Sequence, residues 1–256
     1  MDRPSVRVCF TPDLLKYYNS SGNTNVVVVD ILRATTSMCV AFRHGAKAII
    51  PVSDADEGLR MKNEGLQDEA ANGEPGTANL YLAGEEDGIK LPYADLGNSP
   101  LEFRREVVEG KTIVFSTTNG TRAICESAAY GEVFIASFVN FSVALNFLIL
   151  DKKDVMIVCA GWKGQFSLED TLFAGKLAEA LIHDGGFIPG DDAVSASVSL
   201  WQRAEGNLLE FASKSSHYQR LLGIESEEGL RYCFEPPESE VLPRLESGRL
   251  VDWGIG

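Results

Sequence analysis

The chain has 256 residues, is 45% hydrophobic and 23% charged, and carries a formal net charge of −14. That length can bury a large core as one big domain or two small ones, and the composition is that of an ordinary globular protein. The acidic balance argues against an electrostatic nucleic-acid binder, and an anionic substrate would need a local basic patch working against the overall field. The longest apolar runs, residues 133–136 and 144–150, are far too short to span a bilayer, and the first residues hold no apolar signal segment. Cys9, Cys39, Cys125, Cys159 and Cys233 show no CxxC spacing. Cys9, Cys39 and Cys159 lie in apolar runs, so free buried thiols in a reducing, cytoplasmic setting are expected.

Taken in order, residues 6–10 read as a strand, and Thr11-Pro12-Asp13 opens a helix with proline at its first position. Residues 23–25 read as a turn. Residues 26–29 are four consecutive valines without polar alternation, which suits a central parallel strand buried on both faces. Asp30 then falls at the carboxyl end of that strand, the edge where ligands gather in an open α/β sheet. Arg33, Ala34, Thr35 and Thr36 lead into a helix through about Arg43. Capping that helix is the plain alternative for Asp30. A strand over 46–52 and a helix over 54–63 follow, then a polar loop or partly helical insertion over 65–78. Residues 80–83 suit a strand leading to Gly84-Glu85-Glu86-Asp87-Gly88, which reads as an acidic hairpin turn or a partner for Mg²⁺. Asn98-Ser99-Pro100 is a helix-start signal.

Residues 112–115 are β-branched and apolar and form a buried strand. They run into Ser116-Thr117-Thr118-Asn119-Gly120-Thr121-Arg122 and then a helix over 123–129. A strand, a hydroxyl-rich turn and a helix N-terminus together make an anion-binding concavity, and Arg122 adds a planar cation. A capped helix with an Asn-Gly turn and no ligand remains the alternative. Further strands are expected over 132–137 and 154–159. Helices are expected to about residue 150, over 168–183, 191–205 and 208–214, and as a short one from Ser215. Ser167 with Asp170 makes a capping box, so helix stabilisation is the plain reading of Glu169 and Asp170. Lys163 sits in the flexible loop before them, and His217 is the one histidine in a polar context. Residues 241–245 and 249–251 form a final ribbon. The β-then-α alternation predicts a three-layer α/β/α fold with a mostly parallel sheet, with two similar subdomains left open.

In such a sheet the decorated strand ends converge. Hydroxyls, Arg33, Arg122 and Lys163 then serve as anion donors, while Asp30, Glu85, Glu169 and Asp170 serve as oxygen ligands that favour Mg²⁺. Cation, guanidinium and hydroxyls together suit phosphoryl transfer. No Walker A, GxGxxG, GxSxG or HExxH motif occurs.

Asp30-Ile31-Leu32-Arg33-Ala34-Thr35-Thr36, Gly84-Glu85, Leu96-Gly97-Asn98-Ser99-Pro100, Ser116-Thr117-Thr118-Asn119-Gly120-Thr121-Arg122, Ala136-Ser137-Phe138-Val139-Asn140 and Cys159-Ala160-Gly161 with Glu169-Asp170-Thr171 resemble the motif series of the 2-phosphosulfolactate phosphatase (ComB) family. The likeness runs in order over about residues 5–250. It implies one phosphatase unit over 1–256, with a subdivision near 110–150 left open. It also implies a Mg²⁺-dependent acid phosphatase that hydrolyses 2-phospho-3-sulfolactate, a step that serves coenzyme M synthesis in methanogens, or another small phosphorylated acid.

Carried onto this chain, the resemblance implies that Asp30, Glu85 and Asp170 or Glu169 hold Mg²⁺ or position water. Arg33 and Arg122 clamp oxygens, and His217 or Lys163 acts as general acid. Thr35, Thr36, Asn98, Ser99, Ser116, Thr117, Thr118, Asn119, Gly120, Thr121, Ser137, Asn140 and Lys163 surround a small anionic substrate. The expected partners exclude nucleic acid and membrane and include a second copy of the chain. A covalent aspartyl-phosphate at Asp30 is a rival mechanism, but Leu32 stands where the haloacid-dehalogenase motif has its second acid, so attack by water is preferred. A phospho-sugar isomerase or lyase and a non-catalytic anion binder are the other function classes.

Overall fold

The structure, a computed structural model, describes residues 3–19, 23–71 and 79–254, with only the backbone of residues 65–71. Its strands are β1 (Ser5–Cys9), β2 (Thr24–Val29), β3 (Ala48–Val52), β4 (Leu80–Glu86), β5 (Ile89–Lys90), β6 (Thr112–Ser116), β7 (Glu132–Ala136), β8 (Asp154–Cys159), β9 (Ile188–Pro189), β10 (Pro243–Glu246) and β11 (Arg249–Asp252). The helices are α1 (Ala34–Arg43), α2 (Ala55–Ala71), α3 (Arg105–Val108), α4 (Gly120–Ser127), α5 (Phe141–Asp151), α6 (Leu168–His183), α7 (Asp192–Ala204), α8 (Leu208–Ala212), α9 (Ser216–Leu221) and α10 (Glu227–Tyr232).

The strands form one sheet in the order β5-β4-β6-β3-β11-β10-β7-β2-β8-β1-β9. Two parallel blocks, β4-β6-β3 and β7-β2-β8-β1-β9, are joined by the antiparallel ribbon β10–β11. The expected three-layer α/β/α fold is borne out, and the ribbon is what makes the sheet mixed. The first two strands lie in the same block as β7, β8 and β9, so strand pairing crosses the 110–150 stretch.

The valines of β2 explain the layering. Val27 and Val29 enter one core with Phe134, Phe173 and Leu177, while Val26 and Val28 enter the other with Met38, Ile113 and Ile124. Alternate side chains of a strand point to opposite faces. An all-valine strand therefore feeds both cores, at roughly 1.5–3 kcal/mol of burial per side chain. Helix α6 covers the first face, and α1 with α4 covers the second.

Several expectations change in detail. Residues 24 and 25 belong to β2 rather than to a turn, and α2 continues to Ala71; residues 72–78 of the expected insertion lie outside the described residues. Strand β4 extends through Glu85 into a hairpin whose turn, Asp87-Gly88, has positive φ at both positions, as a tight turn requires. The Thr11-Pro12 start gives a 3₁₀ helix without a side-chain cap, and Pro100 likewise opens only a 3₁₀ turn. Strand β9 and helix α10 were not anticipated. Cys9, Cys39, Cys159 and Cys233 are buried, Cys125 is exposed, and all are free thiols. Among the described residues no helix is long and apolar enough to cross a membrane.

Candidate active site

Register places the chemistry on one edge. Val29 pairs with Ala136 and with Cys159, so Asp30, Ser137 and Ala160 leave the sheet side by side. In the other parallel block Gly84 pairs with Ser116, which brings Glu85 beside the 117–121 turn.

Asp30 is 7% exposed. Its Oδ1 accepts from the Ala34 N–H at 3.2 Å, and its backbone exchanges hydrogen bonds with Thr35. Thr36 donates to the Ile31 carbonyl. Thr35 and Thr36, expected at the substrate, instead close the β2–α1 turn. Burial pushes the Asp30 carboxyl up to about 6; His217 and the Ala34 N–H oppose the rise, and Glu85 and Glu169 add to it. A β-carbon on Gly120 would stand 2.7 Å from Asp30 Oδ2 and 2.5 Å from the Ala34 β-carbon. Glycine at that position is what lets the start of α4 approach the carboxylate.

The hydroxyl-rich turn is tied up differently from the expected cradle. Thr117 and Thr121 bond reciprocally, each side-chain oxygen accepting the other's N–H at 3.2 Å. Thr118 donates its N–H to Glu85 Oε1 at 2.9 Å and its hydroxyl to Oε2 at 3.3 Å, and Gly88 N–H also donates to Oε2. Glu85, expected as a metal ligand, thus holds the two loops together. Asn119 Oδ1 accepts the Lys163 N–H at 2.8 Å. Of this stretch, Thr118 and Asn119 line the pocket. Arg122 does not: it faces outward, half-exposed, on Asp13 at 2.6 Å and Glu126 at 2.8 Å.

Asp170 is buried, and both its oxygens accept backbone N–H groups, Ile31 at 2.8 Å and Gly161 at 3.2 Å. Burial first, then Asp30 and Glu169, raise its carboxyl well above the usual range. It pins the β2–α1 loop to the β8–α6 loop rather than presenting a free oxygen. Glu169, 1% exposed, accepts from His217 Nδ1 at 2.7 Å, while its Oε2 has no partner. A carboxylate acceptor requires Nδ1 to carry the proton, which leaves Nε2 of His217 for chemistry.

Asp30, Arg33, Glu85, Asn98, Trp162, His217 and Arg220 are among the residues that line a narrow polar cleft. Arg33, whose preceding peptide bond is cis, is 5% exposed, pairs with Glu225 at 2.6 Å and donates to the Gly88 carbonyl at 2.9 Å. Asn98 is buried and its Oδ1 lacks a donor.

Ser99, Ser116, Ser137 and Asn140 lie outside the lining. Asn140 accepts from the Ser137 N–H and donates to Ile135 and Val241 carbonyls, which ties the β7–α5 loop to the C-terminal segment. Lys163 reaches Asp87 at 2.6 Å. Trp162 and Arg220, which line the cleft, and Glu225, which supports it, are among the residues not expected there from the sequence. His217 and Arg220 are three apart on α9, and that spacing was a readable signal.

A family model described as 2-phosphosulpholactate phosphatase matches residues 9–248. The chain belongs to the 2-phosphosulfolactate phosphatase family. Its relatives include proteins named "Probable 2-phosphosulfolactate phosphatase" from Caldanaerobacter subterraneus subsp. tengcongensis, 37% identical over 88% of either chain, and from Thermotoga petrophila, 36% identical over 88% of this chain and 90% of that one. One from Synechocystis sp. is 38% identical over 86% of this chain and 88% of its own. This family membership gives the polar cleft at the carboxyl edge its chemical context.

Hard-cation binding fits the donors present. Asp30 and Asn98 line the cleft, Asn98 Oδ1 is a buried acceptor without a donor, and Glu169 Oε2, outside the lining, is another. Among the described residues no group of three or more His, Cys, Asp or Glu stands at ligand spacing. A Mg²⁺ ion that keeps several waters uses only one or two carboxylates.

Proposed function

We propose that the protein is a phosphatase that hydrolyses 2-phospho-3-sulfolactate, or a similar small phosphorylated acid, to the hydroxy acid and phosphate, with Mg²⁺ as cofactor. The observation that carries the reading is the cleft at the carboxyl edge, where buried Asp30 shares one small space with Arg33, His217 and Arg220 in a chain of this family. Asp30 and Glu169, with Asn98 Oδ1, would hold the cation. When bound, it offsets charge on the phosphoryl oxygens and lowers the pKa of water.

The chain's own residues account for the proton traffic. Water forms the new P–O bond as the ester P–O bond breaks. His217, oriented by Glu169, gives its Nε2 proton to the leaving alkoxide and is reprotonated from solvent, while the surplus proton of the attacking water is lost to solvent. The products are the neutral hydroxyl and hydrogen phosphate, so the protons balance. Arg33 and the Asn119 N–H stabilise the phosphoryl oxygens. Asp170 and Glu85 fix the loops that carry these groups.

His217→Gln tests the scheme. It should lower kcat for phosphate release roughly 100-fold or more with KM little changed. Unchanged kcat would remove His217 from the reaction.

A further inference from the structure

The cations at the cleft are unequally occupied. Arg33 meets Glu225 at 2.6 Å, both side chains nearly inaccessible, and donates to the Gly88 carbonyl. Lys163 meets Asp87 at 2.6 Å. Arg220 forms no ion pair among the described residues: it donates from Nη1 to the Asp87 carbonyl at 2.7 Å, and its Nε is buried without an acceptor. Its guanidinium lies 4.9 Å from the centroid of the Trp162 ring, and Trp162 also lies 6.0 Å from the His217 ring. Stacking fixes the plane of the guanidinium while leaving edge N–H groups to donate.

The two arginines flank one turn. Arg33 donates to the carbonyl of Gly88, and Arg220 to that of Asp87. A β-carbon on Gly88 would lie 3.3 Å from Arg220 Nη1. One guanidinium in the cleft is therefore neutralised by a carboxylate, and the other is rigidly held with its charge unmatched. A substrate with a single acid group, engaged near Asp30 and His217, would leave Arg220 unmatched.

We propose that Arg220 binds the second acid group of the substrate, the sulfonate or carboxylate that is not hydrolysed, and so sets the preference of the site for phosphate monoesters bearing a further anion. The assignment rests on the phosphatase reading for its kinetic consequence but not for its binding consequence. The planar fork matches two oxygens of a sulfonate or carboxylate, which a lysine cannot reproduce.

The test titrates 3-sulfolactate and, separately, orthophosphate into the full-length wild type, Arg220→Lys and Arg220→Gln by calorimetry with Mg²⁺ present. Circular dichroism checks that each variant is folded. Arg220→Gln should weaken sulfolactate binding roughly 10- to 100-fold and orthophosphate binding by much less, and Arg220→Lys should restore only part of the loss. The ratio of kcat/KM for 2-phospho-3-sulfolactate over ethyl phosphate should fall by a similar factor. Equal weakening of both ligands, unaltered sulfolactate binding, or no sulfolactate binding by wild type would overturn the assignment. Arg220-dependent sulfolactate binding in a wild type that hydrolyses neither ester would uphold it while removing the phosphatase reading.

Discussion

Asp30→Asn should make the protein more stable above neutral pH while abolishing phosphate release. Burial lifts this carboxyl from 3.8 to about 6. A carboxyl raised in the folded state binds its proton more tightly there than in the unfolded chain. Folding is therefore penalised when the group must ionise. The penalty is absent below the unfolded pKa, grows as pH rises through the folded one, and is constant beyond it. A rise of about two units, at about 1.4 kcal/mol each, is on the order of 3 kcal/mol. Asparagine is near-isosteric, stays neutral and keeps an acceptor for the Ala34 N–H. Urea unfolding in EDTA should then show Asp30→Asn more stable than wild type by that amount at pH 8 and by only about a fifth of it near pH 4, with equal m values. Added Mg²⁺ should narrow the gap at pH 8, because a cation stabilises the ionised carboxylate. A gain that is the same at both pH values, or a loss at pH 8, would refute the reasoning.

Other variants probe the supports of the site. Glu225→Gln strands the guanidinium of Arg33 in a buried setting and should cost about 3–5 kcal/mol in urea unfolding, largely recovered in the double variant with Arg33→Met. Gly120→Ala would press a methyl group on Asp30 and Ala34; thermal unfolding should show a loss of about 1–3 kcal/mol, with lower phosphate release. Arg122→Ala, which removes only half-exposed ion pairs, should move stability by less than about 1 kcal/mol and leave steady-state kcat/KM near wild type.

The layers and the decorated edge were legible because they depend on local pattern. Four valines ending in Asp30 can only be an interior strand with its carboxylate at a sheet edge, and they are buried to 1% or less. The roles of the turn residues were less legible. Thr35, Thr36, Thr117 and Thr121 carry the hydroxyls a ligand would use, but their own turns claim them first, since a buried turn must satisfy its backbone N–H and carbonyl groups. Arg33 and Arg122 follow similar strand–turn patterns. Arg33 precedes its helix and folds over the cleft, whereas Arg122 lies inside α4, where helical rotation carries it outward to Asp13 and Glu126. Arg220 comes from the short helix α9 and Glu225 from the bend between α9 and α10; the spacing of His217 and Arg220 puts them on one helix face, but nothing local announces that this segment folds back over the β4–β5 turn. The ribbon β10–β11 was readable as a hairpin, but its place between two parallel blocks is a tertiary choice.

Phosphate release by the wild-type protein is the most direct test of the proposed activity. It would be measured with 2-phospho-3-sulfolactate and a panel of other 2-phospho-acids, each with Mg²⁺ and with EDTA. The site described predicts Mg²⁺-dependent release that is lost in EDTA and restored on adding back the metal, with the best substrates carrying a second acid group. Folded protein that releases no phosphate from any of them, under either condition, would contradict the phosphatase assignment.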